Sequence, residues 1–101
     1  MVMFMNLTIK HCNSLKDRFL GMMFQVKKTQ IGYYFNKCHS IHTFFCFFPI
    51  DVVLLDKENN ILDVKYNLKP FRIFFFSCYS IVEFYNGYLD QEKIDSIRNF
   101  L

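Results

Sequence analysis

Four polar residues interrupt otherwise apolar blocks, and they are the groups with which this chain could do chemistry: Arg18, His42, Asp51 and Glu83. Two carboxylates and an imidazole are the elements of general acid–base catalysis, and a guanidinium beside them would keep a carboxylate ionised. Asp51 stands in PIDVVLLD and Glu83 in SIVEFY, where an unpaired charge on a buried strand is costly. Both need partners. Arg18 can reach one carboxylate, and His42 can donate to the other. Such a cluster has three uses: an ion-pair network that pins elements together, a pocket for a small polar ligand, or an acid–base site. No nucleophile, phosphate-binding loop or cofactor motif accompanies the four residues, so none is assigned a catalytic role.

A second constellation lies in CHSIHTFFC, where Cys38, His39, His42 and Cys46 are residue types that ligate zinc. Spacing argues against a metal. Residues four apart on a strand are separated by about 13 Å, and no CxxC pair is present. The expectation is neither metal nor cofactor. A reactive thiol needs exposure and an electropositive setting. Cys46 in TFFCFFP, and Cys78 flanked by Phe76 and Tyr79, read instead as small buried hydrophobes.

The elements that position these groups follow from composition and period. A chain of 101 residues is read as one domain over residues 1–101, burying roughly 60–65% of its unfolded surface. Apolar residues make up 52% and aromatics 20%, with 14 Phe, which favours strands and a core of stacked rings. This hydrophobicity excludes the disordered class. Met3 to Ile9 alternates as a first strand. Asn13 or Ser14 then caps a short helix, with Asp17 three residues after Ser14, an apolar stripe of Leu15, Phe19 and Met22 or Met23, and Gly21 near its end. From Gln30 the signals are those of strands: Tyr33 to Phe35, Ile41 to Phe48, Ile50 to Leu55, Ile61 to Tyr66, Arg72 to Phe76 and Ser80 to Tyr85. Asp56 to Asn60 joins two of them as a hairpin loop, Pro49 marks a break, Pro70 starts a strand, and Asn86-Gly87 closes the last one. Asp90 to Phe100 is amphipathic, with Ile94, Ile97 and Leu101 on one face. The fold class is mainly β: a small antiparallel β-sandwich or partly closed barrel with a short N-terminal helix and a C-terminal helix.

Net charge is +3, and the 12 basic residues are scattered. Cations interleaved with rings suit single-stranded nucleic acid, but the charge is too dilute to favour it. No apolar run reaches the roughly 18 residues of a membrane span, because Asp51 and Asp56 break the longest one. Asn6, Lys10 and His11 interrupt the opening before a signal-peptide core can form. Four irregularly spaced cysteines read as reduced thiols of a cytoplasmic protein.

Five blocks occur in order: RFLGMM at Arg18 to Met23, SIHTFF at Ser40 to Phe45, PIDVVLLD at Pro49 to Asp56, NLKPFR at Asn67 to Arg72 and VEFYNG at Val82 to Gly87. Over residues 6 to 89 the chain resembles domain-of-unknown-function family 192, also known as uncharacterised protein family 0127. The resemblance implies a small β-rich domain with a short N-terminal helix and little about activity. Members commonly end in a Gly-Asp turn leading to a last strand, whereas here the corresponding segment reads as helical.

The function expected from these readings is a binding or accessory domain that holds a small polar ligand or a partner protein near His42, Asp51 and Glu83. An enzyme using His42 with Asp51 and Glu83 is the second reading. A structural or interaction module is the third. Convergence of the three side chains in a cleft favours the first two, and closed packing with an exposed apolar edge, open to strand addition by a partner, favours the third.

Overall fold

A computed structural model of the chain describes residues 7–14 and 30–101. The strands are β1 (Thr8–His11), β2 (Ile31–Phe35), β3 (Ser40–His42), β4 (Ile50–Leu55), β5 (Ile61–Leu68), β6 (Ile73–Phe75) and β7 (Ser80–Tyr85), followed by a short helix at Gln91–Ser96 and a 3-10 turn at Ile97–Phe100. Five strands form one sheet in the order β1-β2-β7-β4-β5, and β3 pairs with β6 as a separate ribbon. The β1–β2 pair is parallel; the other pairs are antiparallel.

Strand alternation divides the large sheet into two faces. Val52 lies opposite Glu83, and Tyr33 opposite Glu83 on its other side, so these three share a face with Ile50, Leu54 and Ile81. That face meets Ile41, Phe74, Cys46 and Phe48, from the ribbon and its loop, in one apolar cluster. The opposite face carries Val53, Leu55, Val82 and Phe84, packed with Tyr34, Tyr88 and Ile97. β4 and β7 are therefore buried on both faces and read as apolar runs, each broken by one carboxylate, Asp51 and Glu83. Gly32 on β2 makes room for this packing, since a Cβ there would stand 2.5 Å from Phe84 Cε1.

The turns follow from local chemistry. In the β4–β5 hairpin, Asp56 Oδ1 accepts from Glu58 N and Asn60 N, while Asn59 takes the left-handed conformation at φ 63°. Asp90 caps the C-terminal helix by accepting from Lys93 N at 2.8 Å.

Two expectations need correction. The apolar run Ile41 to Phe48 is not one strand: β3 ends at His42, and residues 43–48 form a turn in which Phe45 adopts φ 60°. Pro70 does not begin a strand, since it sits in a bend and β6 starts at Ile73. Of the expected first strand, Met3 to Ile9, residues 3–6 lie outside the described range, and Thr8 and Ile9 are paired in β1. The expected N-terminal helix, from Asn13 to Gly21, falls almost wholly among residues outside the described range, as does Arg18.

Candidate interaction surface

Asp51 and Glu83 leave opposite faces of the large sheet, because Asp51 lies opposite Phe84 while Val52 lies opposite Glu83. Asp51 is buried and accepts three hydrogen bonds: from Asn67 N at 2.8 Å, Asn86 Nδ2 at 2.8 Å and Gly87 N at 3.2 Å. Its donors come from the β5 end, where Asn67 has φ 58°, and from the turn after β7, where Gly87 has φ 92°. This carboxylate ties two irregular backbone segments to β4, a use of charge that satisfies the group and joins three elements.

Glu83 behaves differently. It is buried in the cluster between sheet and ribbon, and among the described residues no hydrogen bond or ion pair reaches its carboxyl. Burial pushes its pKa up to about 8, so the group is held as the neutral acid at neutral pH. Cys46 lies in the same cluster; burial first, and the neighbouring Glu83 second, push its thiol up to about 11. That is the opposite of the shift a nucleophilic cysteine needs. Burial likewise raises the Cys78 thiol, with Cys38 adding to the shift. Among the described residues no group of three or more His, Cys, Asp or Glu is placed to hold a metal ion.

His42 follows the inward-facing Ile41 and pairs across the ribbon with Ile73, so it belongs to the outer side. Its ring stacks on Phe44 at 5.8 Å between centroids. The structure therefore brings no two of His42, Asp51 and Glu83 into one cleft.

What it does assemble is a surface. Ile73 and Phe75 stand on the outer side of β6, 57% and 75% exposed. Phe44, Phe45 and Phe47 project from the 43–48 turn, and Phe71 from the bend before β6, all exposed. The Phe45 and Phe71 rings meet edge to face at 6.0 Å. Both residues have left-handed backbone, φ 60° and 59°, which is rare for a bulky side chain. Thr43, fully buried, locks the two turns together: its Oγ1 donates to Lys69 O at 2.6 Å and accepts from Arg72 N at 2.9 Å, and its carbonyl accepts from Phe71 N.

The charge around this surface has one sign. Residues 36–50 and 64–79 contain no Asp or Glu, and of their cations Lys37, Lys69 and Arg72 are exposed beside these turns, while Lys65, also exposed, is paired with Asp63. A sequence reading that treats every Phe-rich run as core misses this surface, although the absence of acidic residues from both segments was visible.

No family model matches the sequence, and no curated protein does. Two solved structures share the fold. A protein of unknown function from Novosphingobium aromaticivorans superposes with a TM-score of 0.65 at 11% identity, over 92% of this chain and 69% of that one. A candidate transcription regulator from Sinorhizobium meliloti superposes with a TM-score of 0.68 at 15% identity, over 79% of this chain and 69% of that one.

Proposed function

We propose that this chain is a small β-rich interaction module that docks a partner protein on the outer face of the β3–β6 ribbon. The observation that carries the reading is a group of large apolar side chains left in water on adjoining turns and one ribbon face. Exposed patches of this kind, as distinct from scattered single residues, mark contact sites. Exposed cations with no carboxylate among them select a partner that presents acidic residues around an apolar centre. The left-handed Phe45 and Phe71 support the same reading, since local strain that holds two rings outward brings the core nothing.

The resemblance to domain-of-unknown-function family 192 is part of this proposal. Its support is that PIDVVLLD and VEFYNG coincide with β4 and with the end of β7 plus its turn. A binding role near His42 is retained, with Asp51 assigned to holding the scaffold and Glu83 to its interior. An acid–base enzyme would need two of the three side chains at one reacting atom, and their separation onto different faces speaks against it.

The test is a photo-crosslinking amino acid placed at Phe75 in the full chain in cells, alongside the same probe at Glu92 on the C-terminal helix. A discrete adduct from position 75 alone, whose purified partner binds about tenfold or more weakly to Lys69→Glu/Arg72→Glu, is the expected outcome. Adducts indifferent to charge reversal, or equal from both positions, would overturn the proposal. Binding to phosphatidylserine vesicles in place of a protein would move the occupant to a membrane surface.

A further inference from the structure

β5 ends the large sheet, and among the described residues no strand pairs with its outer edge. It is the longest strand described, and Leu62 and Tyr66 are 52% and 56% exposed. No proline blocks it. The Val64 N–H bonds to the carboxylate of its own neighbour, Asp63 Oδ1 at 2.8 Å, which places that donor off the β4 ladder. Register shifts against β4 confine the regular part of this edge to Asp63 to Lys65, and it is that short unpaired stretch that can template strand addition.

The strand is also complementary to itself. Outward from Val64, the first neighbours are Asp63 and Lys65, of opposite charge, and the second are Leu62 and Tyr66, both apolar. A two-fold axis perpendicular to the sheet continues each face of one copy into the same face of the other, so only residues on the same face can stand opposite each other. With the axis at Val64, Asp63 faces Lys65 of the partner subunit on each side of the axis, and the bulges at Leu62 and at Tyr66–Asn67 bound this regular stretch. Moving the axis by one residue places Asp63 opposite Asp63 of the partner subunit, or Lys65 opposite Lys65 of the partner subunit. Like charges directly opposite are destabilising, so the sequence selects the Val64 register over both neighbours.

We infer that β5 is the contact through which two copies of this chain associate, forming one continuous sheet centred on Val64. The exposed pair that Lys65 Nζ now makes with Asp63 Oδ2, at 3.0 Å, is exchanged for two inter-subunit pairs. Asp63 releases the Val64 N–H to a main-chain bond across the axis. This contact uses β5, whereas the proposed docking face is built on β3, β6 and their turns.

Sedimentation equilibrium over a concentration series tests the register as well as the dimer. Wild type is expected to dimerise. Lys65→Glu, which puts carboxylates opposite carboxylates in both pairs, is expected to weaken the dimer about 10- to 100-fold. The double exchange Asp63→Lys with Lys65→Asp restores opposite charges and is expected to recover the wild-type constant within about threefold, because it exchanges the members of each pair. Both substitutions are on exposed side chains, and circular dichroism shows whether the fold is kept. A wild type monomeric up to about 1 mM would overturn the inference. So would a dimer that Lys65→Glu leaves unchanged, or one that the double exchange fails to rescue while remaining folded.

Discussion

Asp51 and Glu83 begin from the same sequence argument, that a carboxylate on an apolar strand needs a partner, and the structure answers it in two ways. Asp51 remains an acceptor and gathers three donors. Glu83 gives up its charge instead, with burial raising its pKa to about 8. The sign of the linkage follows. Between the ordinary glutamate value of 4.5 and about 8, the folded chain holds a proton that the unfolded chain has released. The contribution is fully present below the lower value and is lost as pH rises to the upper one, on the order of 3–5 kcal/mol at 1.36 kcal/mol per unit. Denaturant midpoints of wild type should therefore fall between pH 5 and pH 8 relative to those of Glu83→Gln, which cannot ionise. Parallel pH profiles for the two proteins would refute the neutral-acid assignment.

At the scale of elements, the sequence was most readable where period and turn chemistry agreed. Ile50–Leu55 and Ser80–Tyr85 fall where the apolar runs place them, and the Asp56–Asn60 loop turns at an asparagine. The run through Phe48 was not readable in this way. Its break at Thr43 depends on hydrogen bonds to Lys69 and Arg72, more than twenty residues away, and on a left-handed Phe45 that no Gly or Asn announces. Two predictions belong here. Thr43→Val keeps the shape of the side chain but leaves the Lys69 carbonyl and the Arg72 N–H without their buried partner, at a cost of about 1–3 kcal/mol. Hydrogen exchange should speed up at the Arg72 amide in that variant before it does in β4 or β7. Asp51→Ala removes the acceptor of three donors from two segments and should cost about 3–5 kcal/mol by urea unfolding, more than Asp51→Asn, which keeps one acceptor oxygen. Equal midpoints for Asp51→Ala and wild type would mean that the two turns hold without it.

Across the whole molecule, the abundance of phenylalanine divides into two populations that composition alone cannot separate. Phe35, Phe48 and Phe84 are in the two buried clusters, while Phe45, Phe47, Phe71 and Phe75 are about half or more exposed. Strand alternation separates Phe74 from Phe75, but only once β6 is known to lie over the large sheet, because a three-residue strand in FRIFFF has no polar residue to mark its outer side. A stability comparison tests the division directly. Phe84→Ala removes a ring that packs against Tyr88 and over Gly32, and it should cost about 3–5 kcal/mol. Phe75→Ser and Phe71→Ser remove comparable apolar area from water-exposed positions and should each change stability by no more than about 0.5 kcal/mol. The same two variants should lower the fluorescence of anilinonaphthalene sulfonate added to the native protein, since that dye needs exposed apolar surface and its sulfonate favours a cationic rim. If Phe75→Ser instead destabilised the fold as much as Phe84→Ala, the ribbon's outer face would be part of the core, and it would no longer be available to a partner.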